Sequence, residues 1–166
     1  MSIDNIYATL EKLERMHKSL LELAYKKTEI IKVNNMEALD QMLKDEQAHV
    51  AAIDKLEQQR QMQVSEYLVA KGLAPSDKIT VADVIKVAEN DADKQKLQEV
   101  RNRLLAVIND LRKQNDLNQK LTFQSLQFVN LTLDMLRPQP SQINYSGKEV
   151  RGINTISKKT YFDSQA

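Results

Sequence analysis

The sequence predicts an all-α protein: an elongated antiparallel bundle, or coiled coil, of three long helices with one short connecting helix and a flexible C-terminal tail. Three observations carry this expectation. Charged residues make up 28% of the 166 and aromatics 5%, with three Gly, three Pro and no Trp, a composition of long helices rather than sheets. Apolar residues recur at alternating steps of three and four, the spacing of a seam between helices. From about Asp93 to Arg137 neither Gly nor Pro interrupts that spacing, and Pro138-Gln139-Pro140 then ends it.

The first helix is expected from about Ser2 or Ile3 to Lys32, with Ile3, Ile6, Leu10, Leu13, His17, Leu20, Ala24, Lys27 and Ile31 as its stripe. Val33-Asn34-Asn35 is the break, because Asn tolerates turn geometry and caps the helix that follows. The second helix runs from Met36 to about Lys71, with Leu39, Leu43, Val50, Ile53, Val64 and Tyr67 on one side. Gly72 suits the position just past a helix end, and Pro75 prevents continuation. So short a break between two long helices predicts an antiparallel hairpin. Ser76 to Asp91 is a connector holding one short helix, capped by Thr80 with Asp83 as its capping-box partner. Its apolar residues Val81, Val84, Ile85 and Val87 place it against the end of the hairpin. The last helix carries Leu97, Val100, Leu104, Val107, Ile108 and Leu111, then a polar gap at Gln114, Asn115 and Asn118. Beyond the gap come Leu121, Leu126, Phe128, Val129, Leu133 and Leu136. The expected division is a bundle over 1–137 and a tail over 138–166, flexible or docked. In the tail, Ile143, Tyr145, Val150, Ile153, Ile156, Tyr161 and Phe162 are scattered among Ser, Asn, Gly and Lys. That pattern cannot offset the entropy of ordering by itself.

Composition also excludes functions. The net charge of +1 gives no field to gather nucleic acid or an anionic membrane. No run approaches the length of apolar chain that spans a bilayer, so membrane insertion is not expected. The N-terminus lacks the apolar core of a signal peptide, and the chain has no Cys. Both fit a cytoplasmic protein. Three glycines form no phosphate-binding loop, and no Gly-flanked Ser or Cys offers a nucleophile. The chain reads as a non-enzyme without cofactors.

Two histidine patterns invite chemistry. Glu14-x-x-His17 and Glu46-x-x-His49 have the spacing of di-iron bundle ligands, and folding the hairpin brings His17 level with His49. Against this, the two pairs sit on consecutive helices rather than alternate ones. The last long helix also supplies no carboxylates placed opposite both. A phosphotransfer role for His17 fails because His17 falls in the seam. Structural histidines in Glu-rich helices are the preferred reading, with no metal site.

The end of the last helix makes a stronger claim. Asn115 and Asn118 either fix the register of the bundle or leave a notch for a partner. Leu126, Val129, Leu133 and Leu136 extend along helix that the shorter first and second helices do not cover. An uncovered apolar stripe marks an interaction surface or self-association.

The order and spacing of these features resemble the FlgN family of flagellar export chaperones over nearly the whole chain. The resemblance rests on Asn115-x-x-Asn118-x-x-Leu121 with Ser125-Leu126, and on Leu39-x3-Leu43-x2-Glu46. It rests also on Ile53-x2-Leu56-Glu57-x2-Arg60 and on the ending Phe162-Asp163-Ser164-Gln165-Ala166. Members are cytoplasmic chaperones of the hook-associated proteins that form the hook–filament junction. They bind these cargoes through their C-terminal region and deliver them to the flagellar type III export apparatus. The resemblance therefore implies that Leu126 to Leu136 and the apolar islands of the tail contact cargo. The competing expectation is a structural or adaptor coiled coil that pairs with itself as a homodimer.

Overall fold

The computed structural model describes residues 3–136. Within them the chain forms four helices and no strand: α1 (Ile3–Lys32), α2 (Met36–Ala70), α3 (Val81–Val87) and α4 (Asp91–Leu136). The expected all-α bundle is present, and α4 runs unbroken for 46 residues through Asn115.

Local chemistry explains where each helix stops. After Lys32, Asn34 takes a left-handed φ of 54°, a conformation Asn tolerates better than most residues. Asn35 then caps α2 by accepting from the Ala38 amide at 3.1 Å. At the far end Gly72 has φ 86°. Its amide donates to the Val69 carbonyl at 2.9 Å, and Leu73 donates to Leu68 at 3.0 Å. These paired bonds satisfy carbonyls that the last turn leaves free. Thr80 and Asp83 close the capping box on α3 in both directions. Helix α4 starts at Asp91, slightly before the expected Asp93. Asn90, whose side chain accepts from the Ala92 amide at 2.9 Å, supplies the start.

Hydrogen bonds between helices fix their directions. Thr9–Gln63, Ser19–His49 and Lys27–Glu46 link α1 to α2 at ever smaller sequence separations of 54, 30 and 19, so the two are antiparallel. Glu14–Arg103, Thr28–Asn118 and Asn34–Ser125 link α1 to α4 at near-constant separations of 89, 90 and 91, so these two run parallel and in register. The hairpin turn at Asn34 is thus level with Ser125. About eleven residues of α4 follow, roughly 16 Å at the rise of an α-helix.

The core lies at the opposite end. Ile6, Leu10 and Leu13 of α1, Val64 and Leu68 of α2, Val84 of α3, and Leu97, Val100 and Leu104 of α4 form one buried cluster. The connector helix therefore does what its apolar side predicts and closes this end. Burying each such side chain is worth about 1.5–3 kcal/mol. Toward the turn the packing thins. Between Met42 and Val64 no residue of α2 is buried, and Leu43 and Val50, expected on its inner side, are exposed. Met42 and Leu68 take the inward positions instead. Helix α2 carries apolar residues on more than one face, and its pairing with α1 selects among them.

Candidate partner-binding site

Where the apolar seam of α4 stops, a polar layer replaces it. Asn118, 2% exposed, donates from Nδ2 to the Ala24 carbonyl at 2.9 Å. Its Oδ1 lies 2.6 Å from the Thr28 hydroxyl, and Gln114 Nε2 donates to that hydroxyl at 2.5 Å. The Thr28 hydrogen serves either Asn118 or the Ala24 carbonyl, 3.0 Å away. Every buried polar side-chain atom among the described residues has a partner, so the layer holds α1 to α4 without an unsatisfied group. Asn115, three residues away, is exposed and outside the layer.

Past this layer α4, α1 and the start of α2 enclose a groove of about 430 Å³. Its walls are mainly Ile30, Ile31, Met36, Leu39, Leu126 and Val129, with Asn34, Asn35, Thr122 and Ser125 at its edges. The Ser125 hydroxyl donates to the Asn34 side chain, tying α4 to the turn at the groove's rim.

Beyond Val129 the apolar side chains of α4 stand in the open. Leu131 is 60% exposed, Leu133 50% and Leu136 75%. From Leu121 to Leu133 there is no Asp, Glu, Lys or Arg, in a chain that is otherwise densely charged. The surface is thus apolar with amide and hydroxyl groups between.

Of the residues singled out in the sequence, Leu126 and Val129 line the groove, and Leu133 and Leu136 lie on the projecting turns. Asn118 is the buried member of the polar layer. Ile143, Tyr145, Val150, Ile153, Ile156, Tyr161 and Phe162, together with the expected tail, lie outside the described residues. Sequence reasoning did not assign Ile30, Met36 and Leu39 to the site. They reach it only because the hairpin turn lands beside Ser125. Phe128, Leu131 and Met135, all more than half exposed, were also left out of the site; their mutual spacing of three and four was the available signal.

The groups that tempted a metal reading are committed elsewhere. Glu14, 6% exposed, is held by Lys18 at 3.0 Å and Arg103 at 3.2 Å. Burial pushes its carboxyl up, but hydrogen bonds and charge from Lys18 and Arg103 outweigh burial and hold it below the usual glutamate value. Glu46 pairs with Lys27 at 3.2 Å. His49 donates from Nδ1 to the Asp45 carbonyl at 2.7 Å, so its Nε2 accepts from Ser19 at 2.8 Å. His17 Nδ1 donates to the Leu13 carbonyl at 2.7 Å. Among the described residues no three His, Cys, Asp or Glu are grouped to hold a metal ion, and no helix is long and apolar enough to cross a membrane.

A family model described as FlgN protein matches residues 1–149. A Bacillus subtilis (strain 168) protein described as uncharacterized protein YvyG is 32% identical over 166 residues, covering 100% of both chains. No solved structure matches.

Proposed function

The chain belongs to the FlgN family of flagellar export chaperones, and from that premise we propose that it is a non-enzymatic cytoplasmic chaperone of hook-associated proteins. It binds these hook–filament junction proteins at the free end of α4 and through the residues that follow. It then hands them to the flagellar type III export apparatus. The observation that carries this reading is the asymmetry of the bundle. One end is sealed by α3 and a continuous core, while the other ends in an apolar groove and an uncovered apolar helix.

A hook-associated protein waiting for export must keep its self-assembling surface covered. The apolar end of α4 supports such a cover, because two apolar surfaces gain free energy by leaving water together. The distance between sealed core and open end means that docking need not disturb the fold. No nucleotide motif is present in the sequence, so the energy of export belongs to the machinery that receives the cargo.

Calorimetric titration of hook-associated proteins into the full chain, and into a chain truncated after Arg137, tests the proposal. Binding by the full chain, weakened or lost on truncation with helical content kept, supports it. Failure of every hook-associated protein to bind the full chain contradicts it.

A further inference from the structure

The exposed end of α4 has two apolar faces. Leu126, Val129, Leu133 and Leu136 form the first, which continues the seam toward α1 and includes the groove wall. Phe128, Leu131 and Met135 form the second, exposed at 65%, 60% and 77%. At about 100° per residue the two are centred roughly 150° apart around the helix. A single helix laid in the groove covers the first face and leaves the second in water. A helix that is apolar on opposite sides belongs in an interior.

We propose that the partner encloses the end of α4 from both sides, presenting an uncharged apolar cleft built from at least two helical segments. The proposal rests on the export-chaperone reading and specifies what the cargo must bring. Two features define that surface. From Leu121 to Leu133 the helix carries no charge, and Asp134 is the one carboxylate among the last turns; along the charge-free stretch an apolar cleft is the complement, and charges facing it there would be buried unpaired. The backbone groups inside α4 are bonded within the helix, so strand addition has no edge to use and side-chain packing by helices remains. In effect α4 donates its last turns as an interior helix of the cargo's fold.

The absence of native Cys makes single introduced thiols a clean probe. Leu131→Cys and Leu133→Cys report on the two faces, labelled alone and with purified hook-associated proteins of the same organism. Both should react freely alone, and both should slow about tenfold or more in the complex. In addition, Leu131→Asp should weaken binding about a hundredfold, on the scale of a central interface residue. Protection at Leu133 alone, with Leu131→Asp binding like the parent, means a single helix in the groove; it overturns the two-sided cleft and leaves the chaperone reading standing. A stable complex with neither thiol protected overturns the two-sided cleft and leaves the chaperone reading to rest on the residues after Arg137. Protection of Leu131→Cys before cargo is added also overturns the proposal: a dimer by light scattering assigns the face to a second copy, and a monomer assigns it to residues 137–166.

Discussion

The Asn118 side-chain amide donates to the main-chain carbonyl of Ala24 at 2.9 Å, joining α4 to α1 where the apolar seam gives way to the open end. On one side of this bond lie Leu97, Val100, Leu104, Val107 and Leu111, all buried. On the other, apolar residues persist but are half exposed or more from Leu131 onward. The bond marks the border between the buried part of the bundle and the part whose apolar side chains stand exposed.

Asn118→Ala should therefore cost about 1–3 kcal/mol, from lost buried hydrogen bonds and a small void. Asn118→Leu combined with Thr28→Val removes the buried pair together, leaves the half-buried Gln114 to bond water, and should come closer to neutral. Urea denaturation of the three proteins measures the difference. Equal loss in the single and double variants would mean that the layer contributes shape rather than hydrogen bonding.

Glu14 ties the stability of the bundle to pH. Its carboxyl value is lowered in the fold, since Lys18 and Arg103 overcome the effect of burial. Its stabilising contribution is therefore complete above the ordinary glutamate range and fades as pH falls below about 4, through the lowered value. Glu14→Gln should be less stable than the parent near neutrality, and the gap should close on acidification. Arg103 is half exposed, so solvent screens the pair, and Arg103→Ala should cost little. Denaturation midpoints across a pH series give both answers.

Much of this arrangement was legible in the sequence, for reasons that differ between elements. Asn34-Asn35, Gly72 and the Thr80–Asp83 pair act within a few residues of themselves, so the helix ends they set could be read directly. The inner face of α2 could not. Leu43 and Val50 fit a helical stripe as well as Met42 and Leu68 do, and only the docking of α1 decides between them. Asn115 and Asn118 looked equivalent, yet the seam steps from Leu111 to Gln114 to Asn118 and passes Asn115 by. From Asn118 the apolar path takes two four-residue steps, through Thr122 to Leu126, and so drifts off the strict seven-residue repeat. The groove was hidden for another reason: its walls come from three helices, and the level of the turn against Ser125 appears in no local pattern.

The two ends of the bundle should respond differently to substitution. Leu97→Ala, at a fully buried position, should cost about 2–5 kcal/mol. Leu133→Asp, on the projecting turns, should change stability by about 0.5 kcal/mol or less. Thermal unfolding followed by circular dichroism compares them. A large loss from Leu133→Asp would place that leucine in the core.

Gly72 offers a check on the backbone. A methyl group there meets no atom within 4 Å, so Gly72→Ala costs only the left-handed conformation itself, about 1–2 kcal/mol. The paired amide bonds to Val69 and Leu68 should survive, and hydrogen exchange at Gly72 and Leu73 would report their loss.

The central claim is that a partner docks on the apolar end of α4, charge-free from Leu121 to Leu133. Its most direct measurement is the calorimetric affinity of a hook-associated protein for the parent and for Leu126→Asp combined with Val129→Asp, with helical content monitored in parallel. The account predicts that binding is lost while the helices and the core at the α3 end are retained. Unchanged affinity in that folded double variant would contradict it.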